Sequence, residues 1–294
     1  MKKTIKLLDG SLSYPLEKKG YNLNTKLWTA HALINNPEEI LKIHKDYINS
    51  GIDFISTSTY QASVRGLLDY GYNISKIEKI FNKSVELAKK AIDETNSKNK
   101  ISILGSFGPF ATYLADGSEY NGNYKFSDNN ILQFHSENID IINKLNVDII
   151  LYETIPNLRE AKILSKIIDK INKEIWISFT CNDKLELRDG SSLKKACKIF
   201  SSTDNVSTIG VNCVQPHLIS DAIKLLKKES TKKILVYPNS GEKFDHKTKT
   251  WNGKKLFNKK MIKEWIKLSP DIIGGCCRMD ASVIKKMRKY IDLA

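Results

Sequence analysis

The sequence predicts an α/β protein built as a (β/α)8 TIM barrel, and three observations carry that expectation. Short β-branched, apolar runs recur along the chain, each followed by a longer segment with helical periodicity. The chain has 294 residues, just above the roughly 250 typical of one such barrel. Polar residues of unusual type fall at or just past the ends of the apolar runs.

The first run, 5–9, holds Ile5, Leu7 and Leu8 and ends on Asp9, followed by Gly10. A helix is expected over 38–49, because Ile40, Leu41, Ile43, His44, Tyr47 and Ile48 share one face at helical spacing. Pro37 suits its start. The second run, 52–58, leads to Thr59, and the third, 101–107, ends on Phe107. The fourth, 147–152, leads to Glu153, and the fifth, 175–180, ends on Thr180. The sixth, 208–212, ends on Asn212 beside Cys213; the seventh, 233–237, leads to Asn239; the eighth, 271–275, leads to Cys276 and Cys277. An open doubly wound sheet is the alternative for such an alternation. Position decides between them: Asp9, Thr57, Thr59, Glu153, Thr180, Cys213, Asn239, Cys276 and Cys277 all lie at C-terminal strand ends. In a barrel those ends converge on one face, where active sites are built. No linker or composition shift divides the chain, so 1–294 reads as a single domain. Two longer connections, 108–130 and 238–253, follow strands on that face and are candidate lids.

The composition, 41% apolar with 15 Gly and 7 Pro, is that of an ordinary globular protein. The net charge of +14 comes mostly from lysine scattered over helical stretches, as at Lys162, Lys166 and Lys170. That pattern is a solvated basic surface and does not call for nucleic acid. No run approaches the ~18 apolar residues of a membrane span, and the first thirteen residues lack a signal-peptide core. The expectation is a soluble, cytoplasmic protein with no membrane partner; nothing in the sequence bears on its oligomeric state.

The five cysteines are odd in number and two are adjacent, which argues against a disulfide framework and for metal binding or catalysis. Cys197 lies inside a helical stretch and Cys181 lacks a partner motif, so both read as buried small hydrophobes. Gly210-Val211-Asn212-Cys213 and Gly274-Gly275-Cys276-Cys277 are different, because each places thiols directly after a strand. Strands six and eight flank strand seven in a barrel, so their ends can bring three thiolates around one ion. Soft thiolates favour zinc, and three protein ligands leave a fourth position open, the arrangement of a catalytic site.

The stretches Asp9-Gly10 with Leu16-Glu17-Lys18-Lys19-Gly20, Thr57 to Ser63 (TSTYQAS), Glu153-Thr154-Ile155-Pro156 and Ser178-Phe179-Thr180 join the two cysteine motifs and Val236 to Glu242 (VYPNSGE). In this order they resemble the homocysteine S-methyltransferase family, in particular its S-methylmethionine- or S-adenosylmethionine-dependent branch. The resemblance spans residues 9 to 278 and implies transfer of a methyl group from a sulfonium donor to homocysteine, forming methionine. It implies Zn2+ on Cys213, Cys276 and Cys277, with those three residues as the catalytic set. It places Glu153 at the substrate's α-amino group, with Asp9, Gly10 and Thr59 in the same amino-acid pocket. Asn212 and Asn239 are candidates to orient cysteines or ligand. Trp28, Tyr60, Phe107 and Trp251 are aromatic candidates for a cationic donor. His44 lies on a helical face, and His31, His135, His217 and His246 form no constellation.

Two departures from the family pattern bear on donor choice. Ser11 stands where Gly or Ala usually follows Asp-Gly, and Met279-Asp280-Ala281 stands where threonines and a proline often follow the cysteine pair. Two other readings remain at this level. One is the homocysteine-activating subunit of a corrinoid or betaine methyl-transfer system; the other is a non-catalytic zinc-binding protein, which would have no use for Glu153 and Asp9.

Overall fold

A computed structural model describes residues 4–245 and 250–294, so His246 lies outside the described residues. The strands are β1 (Lys6–Leu7), β2 (Phe54–Ser56), β3 (Ser102–Phe107), β4 (Ile149–Ile155), β5 (Glu174–Phe179), β6 (Val206–Asn212), β7 (Lys233–Tyr237), β8 (Lys243–Asp245), β9 (Thr250–Asn252) and β10 (Ile272–Ile273). Eight of them form one parallel sheet in the order β1-β10-β7-β6-β5-β4-β3-β2. The sheet closes on itself through a Leu8–Phe54 bridge, with Asp53 N donating to Leu7 O at 2.7 Å and Asp9 N to Phe54 O at 3.1 Å. With helices between successive strands, this is a (β/α)8 barrel, and each of the eight expected runs overlaps one of its strands.

The short strands stop where side chains take over from the ladder. Asp9 Oδ2 accepts the Ser56 N–H at 2.8 Å, which ends regular pairing on β1 and β2 at the mouth. At the opposite end Asp53 accepts from Leu7 N, Asp148 from Ile103 N and Asp271 from Ile234 N, at 2.7–2.9 Å. Carboxylates at the strand starts thus satisfy backbone donors that the stagger of a barrel leaves over. β4 runs past its expected end to Ile155, through a register shift between Tyr152 and Ile155 in its pairing with β5.

Two layers of apolar packing fit the alternation of strand side chains. Leu8, Leu104, Ile149, Leu151, Trp176, Leu235, Tyr237 and Ile272 form the barrel interior, with Phe54 meeting the Trp176 ring edge-on at 4.8 Å between centroids. The larger cluster, including Ile103, Ile150, Ile177, Ile209 and Val236, faces the helices. The expected helix at 38–49 is Pro37–Asn49 with proline in its first turn. Its His44 is fully buried, and burial pushes the imidazole down to about 4, so it packs as a neutral ring. The connection after β3 carries a short helix, Phe110–Leu114, and a 3-10 turn, Ser118–Tyr120, before the helix Asp128–Lys144 begins at a Ser127 capping box. The connection after β7 carries the antiparallel pair β8 and β9. Among the described residues no helix is long and apolar enough to cross a membrane.

Candidate active site

The barrel's own periodicity builds the site. Leu104, Leu151, Trp176 and Leu235 fill the interior, and two residues further along each strand stand Ser106, Glu153, Ser178 and Tyr237. In a strand those positions share a face, so the register that closes the floor also points polar groups into the mouth. There Ser106, Glu153 and Tyr237 meet a cavity of about 410 Å3 whose wall also includes Asp9, Gly10, Cys213, Cys276 and Cys277.

Glu153 sits at the irregularity of β4, and the next residue, Thr154, has φ 63°. A bulge of this kind turns a strand and re-aims its side chains. Ser106 Oγ donates to Glu153 Oε1 at 2.5 Å and the Tyr237 hydroxyl to Oε2 at 3.2 Å. Burial nevertheless pushes the Glu153 carboxyl up to about 7, with the neighbouring Cys276 adding to the shift. Asp9 accepts from Ser56 N at 2.8 Å and Ser56 Oγ at 3.1 Å. Burial raises it to about 8, and the Glu153 charge contributes in the same direction. Two acids in one low-dielectric cavity without a cation resist ionising together.

The cysteines converge as the two motifs require. Cys213 follows β6 at φ 52°, a costly conformation for a residue with a Cβ. Its N–H donates to Tyr237 O at 3.2 Å, and its carbonyl accepts from Arg188 Nη2 at 3.1 Å. Cys276 N donates to Pro238 O at 2.8 Å, and Cys277 O accepts from Ser240 N at 3.0 Å, which ties the loop after β10 to the loop after β7. Gly10 allows that loop to settle: a Cβ there would lie 2.5 Å from Met279 O.

The Sγ atoms of Cys213, Cys276 and Cys277 all lie within 4.8 Å of one another, and those of Cys213 and Cys277 are 3.6 Å apart. Two thiolates on one tetrahedral zinc at roughly 2.3 Å would stand about 3.8 Å apart, so the donor set fits such an ion in chemistry and spacing. Donation from Cys276 and Cys277 holds the Cys213 thiol well below its usual range, and hydrogen bonding to Cys213 pushes the other two up. All five cysteines are free. Cys181 and Cys197 are buried elsewhere, where desolvation pushes each thiol up to about 12, the protonated, inert state.

Three expected site residues stand behind the wall. Thr59 is fully buried and donates to Ser106 O at 2.7 Å. Asn212 Oδ1 accepts from Thr154 N at 2.9 Å and Ser178 Oγ at 2.7 Å, while Nδ2 donates to Thr154 Oγ1 at 2.7 Å and faces Cys276 Sγ at 3.9 Å. Asn239 Oδ1 accepts from Gly241 N at 3.0 Å and shapes the loop after β7. The two departures from the family pattern meet: Ser11 N donates to Met279 O at 3.0 Å, and the Tyr47 hydroxyl bonds Ser11 O at 2.6 Å and Met279 O at 3.1 Å.

Sequence reasoning passed over several groups. Ser106 and Tyr237 had a usable signal, the inward register of their strands. Arg188 had none; Arg278 directly follows the Gly274-Gly275-Cys276-Cys277 stretch, but its partners Glu17 and Glu242 meet it only in the fold. Arg188 Nε bonds Thr180 Oγ1 at 3.2 Å, and Arg278 reaches Glu17 at 2.9 Å and Glu242 at 3.3 Å, with its guanidinium 4.1 Å from the Tyr14 ring centroid.

Comparison with known proteins agrees with this geometry over almost the entire length. Residues 6–291 match the profile of a family described as homocysteine S-methyltransferase. The homocysteine S-methyltransferase YbgG of Bacillus subtilis (strain 168) is 35% identical, over 97% of this chain and 93% of that one. Homocysteine S-methyltransferase 1 of Arabidopsis thaliana is 34% identical over 96% and 92%. The metallated form of the homocysteine methyltransferase MmuM from Escherichia coli superposes with a TM-score of 0.84 at 31% identity, covering 98% of this chain and 96% of that one. The chain therefore belongs to the homocysteine S-methyltransferase family.

Proposed function

We propose that this chain, acting as one barrel domain over 1–294, transfers a methyl group from a sulfonium donor to homocysteine, with zinc held by Cys213, Cys276 and Cys277. The observation that carries this reading is the convergence of the three sulfurs with Glu153 and Asp9 on one cavity. The described relative of known structure includes a form named as metallated, which supports the metal. Bound zinc supplies the Lewis acidity that keeps a coordinated thiol deprotonated at neutral pH.

The chain's own residues do the rest. Glu153, oriented by Ser106 and Tyr237, receives the α-ammonium of the amino acid in a charge-assisted contact. That cation also relieves the electrostatic conflict with Asp9, which completes the pocket beside Gly10. Asn212 holds the turn at Thr154 and with it the aim of Glu153. Thr59 and Asn239 support the pocket from behind. A sulfonium leaves as a neutral thioether, so no general acid is required, and S-methylmethionine and S-adenosylmethionine are the donors this reading admits.

The test is formation of methionine by the purified, zinc-loaded protein from homocysteine with each sulfonium separately. Methionine from at least one of them is expected. No methionine from either would overturn the reading and favour a partner-dependent methyl carrier.

A further inference from the structure

The connection after β3 carries, at the cavity wall, an acid that the proposed reaction has not used. Glu119 lies in the 3-10 turn Ser118–Tyr120 and lines the cavity together with Trp28, Tyr60, Tyr120 and Cys213. Its Oε2 atom is buried without a hydrogen-bond partner among the described residues. A carboxylate oxygen removed from water and left without a donor is unfavourable, and an incoming cation would reverse that. Burial pushes the Glu119 carboxyl up to about 7, with the Asp116 charge adding to it, as expected for an acid awaiting a counter-ion.

The turn is fixed in place. Ser118 N donates to Asp116 Oδ1 at 2.9 Å and Gly122 N to Ser118 O at 2.7 Å. Asn157, from the loop after β4, donates to Gly122 O at 2.9 Å, and Arg159 donates to Phe126 O at 2.7 Å. The turn that carries Glu119 is therefore anchored by its own loop and by the loop after β4. Nearby, the Trp28 and Tyr60 rings stand edge to face at 6.2 Å between centroids. Cys213, one of the three converging thiols, lines the same cavity as Glu119, Tyr60 and Tyr120. Aromatic faces and an unpaired carboxylate favour the same kind of guest, a cation of low hydration.

We propose that Glu119 is the counter-charge for the donor sulfonium, so that the cavity selects a cationic methyl donor over a neutral thioether of nearly the same shape. This rests on the function proposed above. In the transfer, the bond between donor sulfur and methyl carbon breaks with its electron pair passing to the donor sulfur. The acceptor thiolate supplies the pair for the new carbon–sulfur bond. The donor becomes neutral in that step and loses its attraction to Glu119, so the same carboxylate that admits substrate favours release of product.

The experiment is calorimetric titration of the zinc-loaded full chain with S-methylmethionine and, separately, with methionine, which differs by one methyl cation. Glu119→Gln is expected to weaken sulfonium binding about tenfold while changing methionine binding less than about twofold. Glu119→Asp recovers most of the loss, and the donor KM rises in Glu119→Gln while the homocysteine KM holds. Glu119→Ala is measured in the same way, so that a folding defect in one variant leaves the other readable. Equal losses for both ligands, or no loss for the sulfonium, would overturn the proposal. Methionine formation by the unsubstituted chain is a separate arm: its absence sinks the methyl-transfer reading, whereas turnover without Glu119-dependent selectivity sinks only the counter-charge.

Discussion

Glu153 shows how a single residue acquires its chemistry from the layer beneath it. Its carboxyl is buried, raised to about 7, and anchored by two hydroxyl donors from β3 and β7. Glu153→Gln keeps shape and most hydrogen bonding but removes the charge that an ammonium group needs. A charge-assisted hydrogen bond contributes about 1.5–3 kcal/mol, so the variant's homocysteine KM should rise roughly 10- to 100-fold. Zinc content measured on the same sample should be unchanged, since Glu153 is outside the donor set. An unchanged KM would remove the ammonium contact. That an acid stands at this strand end was legible from its position after the fourth run, and its orientation was not. Ser106 and Tyr237 come from sequence-distant strands, and only closure of the barrel brings them to the same carboxylate.

At the scale of elements, the site depends on β4 leaving regular geometry at its end. The departure is stabilised from β6, because Asn212 accepts from Thr154 N and Ser178 Oγ and donates to Thr154 Oγ1. Asn212→Ala leaves a backbone N–H and a hydroxyl buried without that acceptor, which costs about 2–4 kcal/mol by the usual penalty for such groups. Urea unfolding should read that loss, and the homocysteine KM should rise with it because Glu153 loses its aim. Full stability in the variant would show that β4 holds its bulge unaided. The run at 147–152 was readable as a strand from its apolar sequence, but its extension to Ile155 was not. The polar Glu153 and Thr154 interrupt the pattern, and the bulge that accommodates them is a product of pairing with β5.

For the whole molecule, the eightfold alternation was legible because each apolar run must pair to bury itself, and the polar strand ends told which face the site occupies. The hairpin of β8 and β9 was not legible, and although Glu17, Glu242 and Arg278 stand in or beside recognisable stretches, their clamp arises only when the barrel brings those stretches together. What the barrel accomplishes as a unit is to bring thiols from two strands, separated in sequence by more than sixty positions, to within 4.8 Å. The decisive measurement is zinc per chain, taken on the unsubstituted protein and on Cys213→Ala, Cys276→Ser and Cys277→Ser, with methionine formation followed on each sample. One zinc in the unsubstituted chain, lost together with turnover in every variant, is the expected result. Full zinc retention in Cys213→Ala, or turnover by a chain stripped of zinc, would contradict a three-thiolate metal centre.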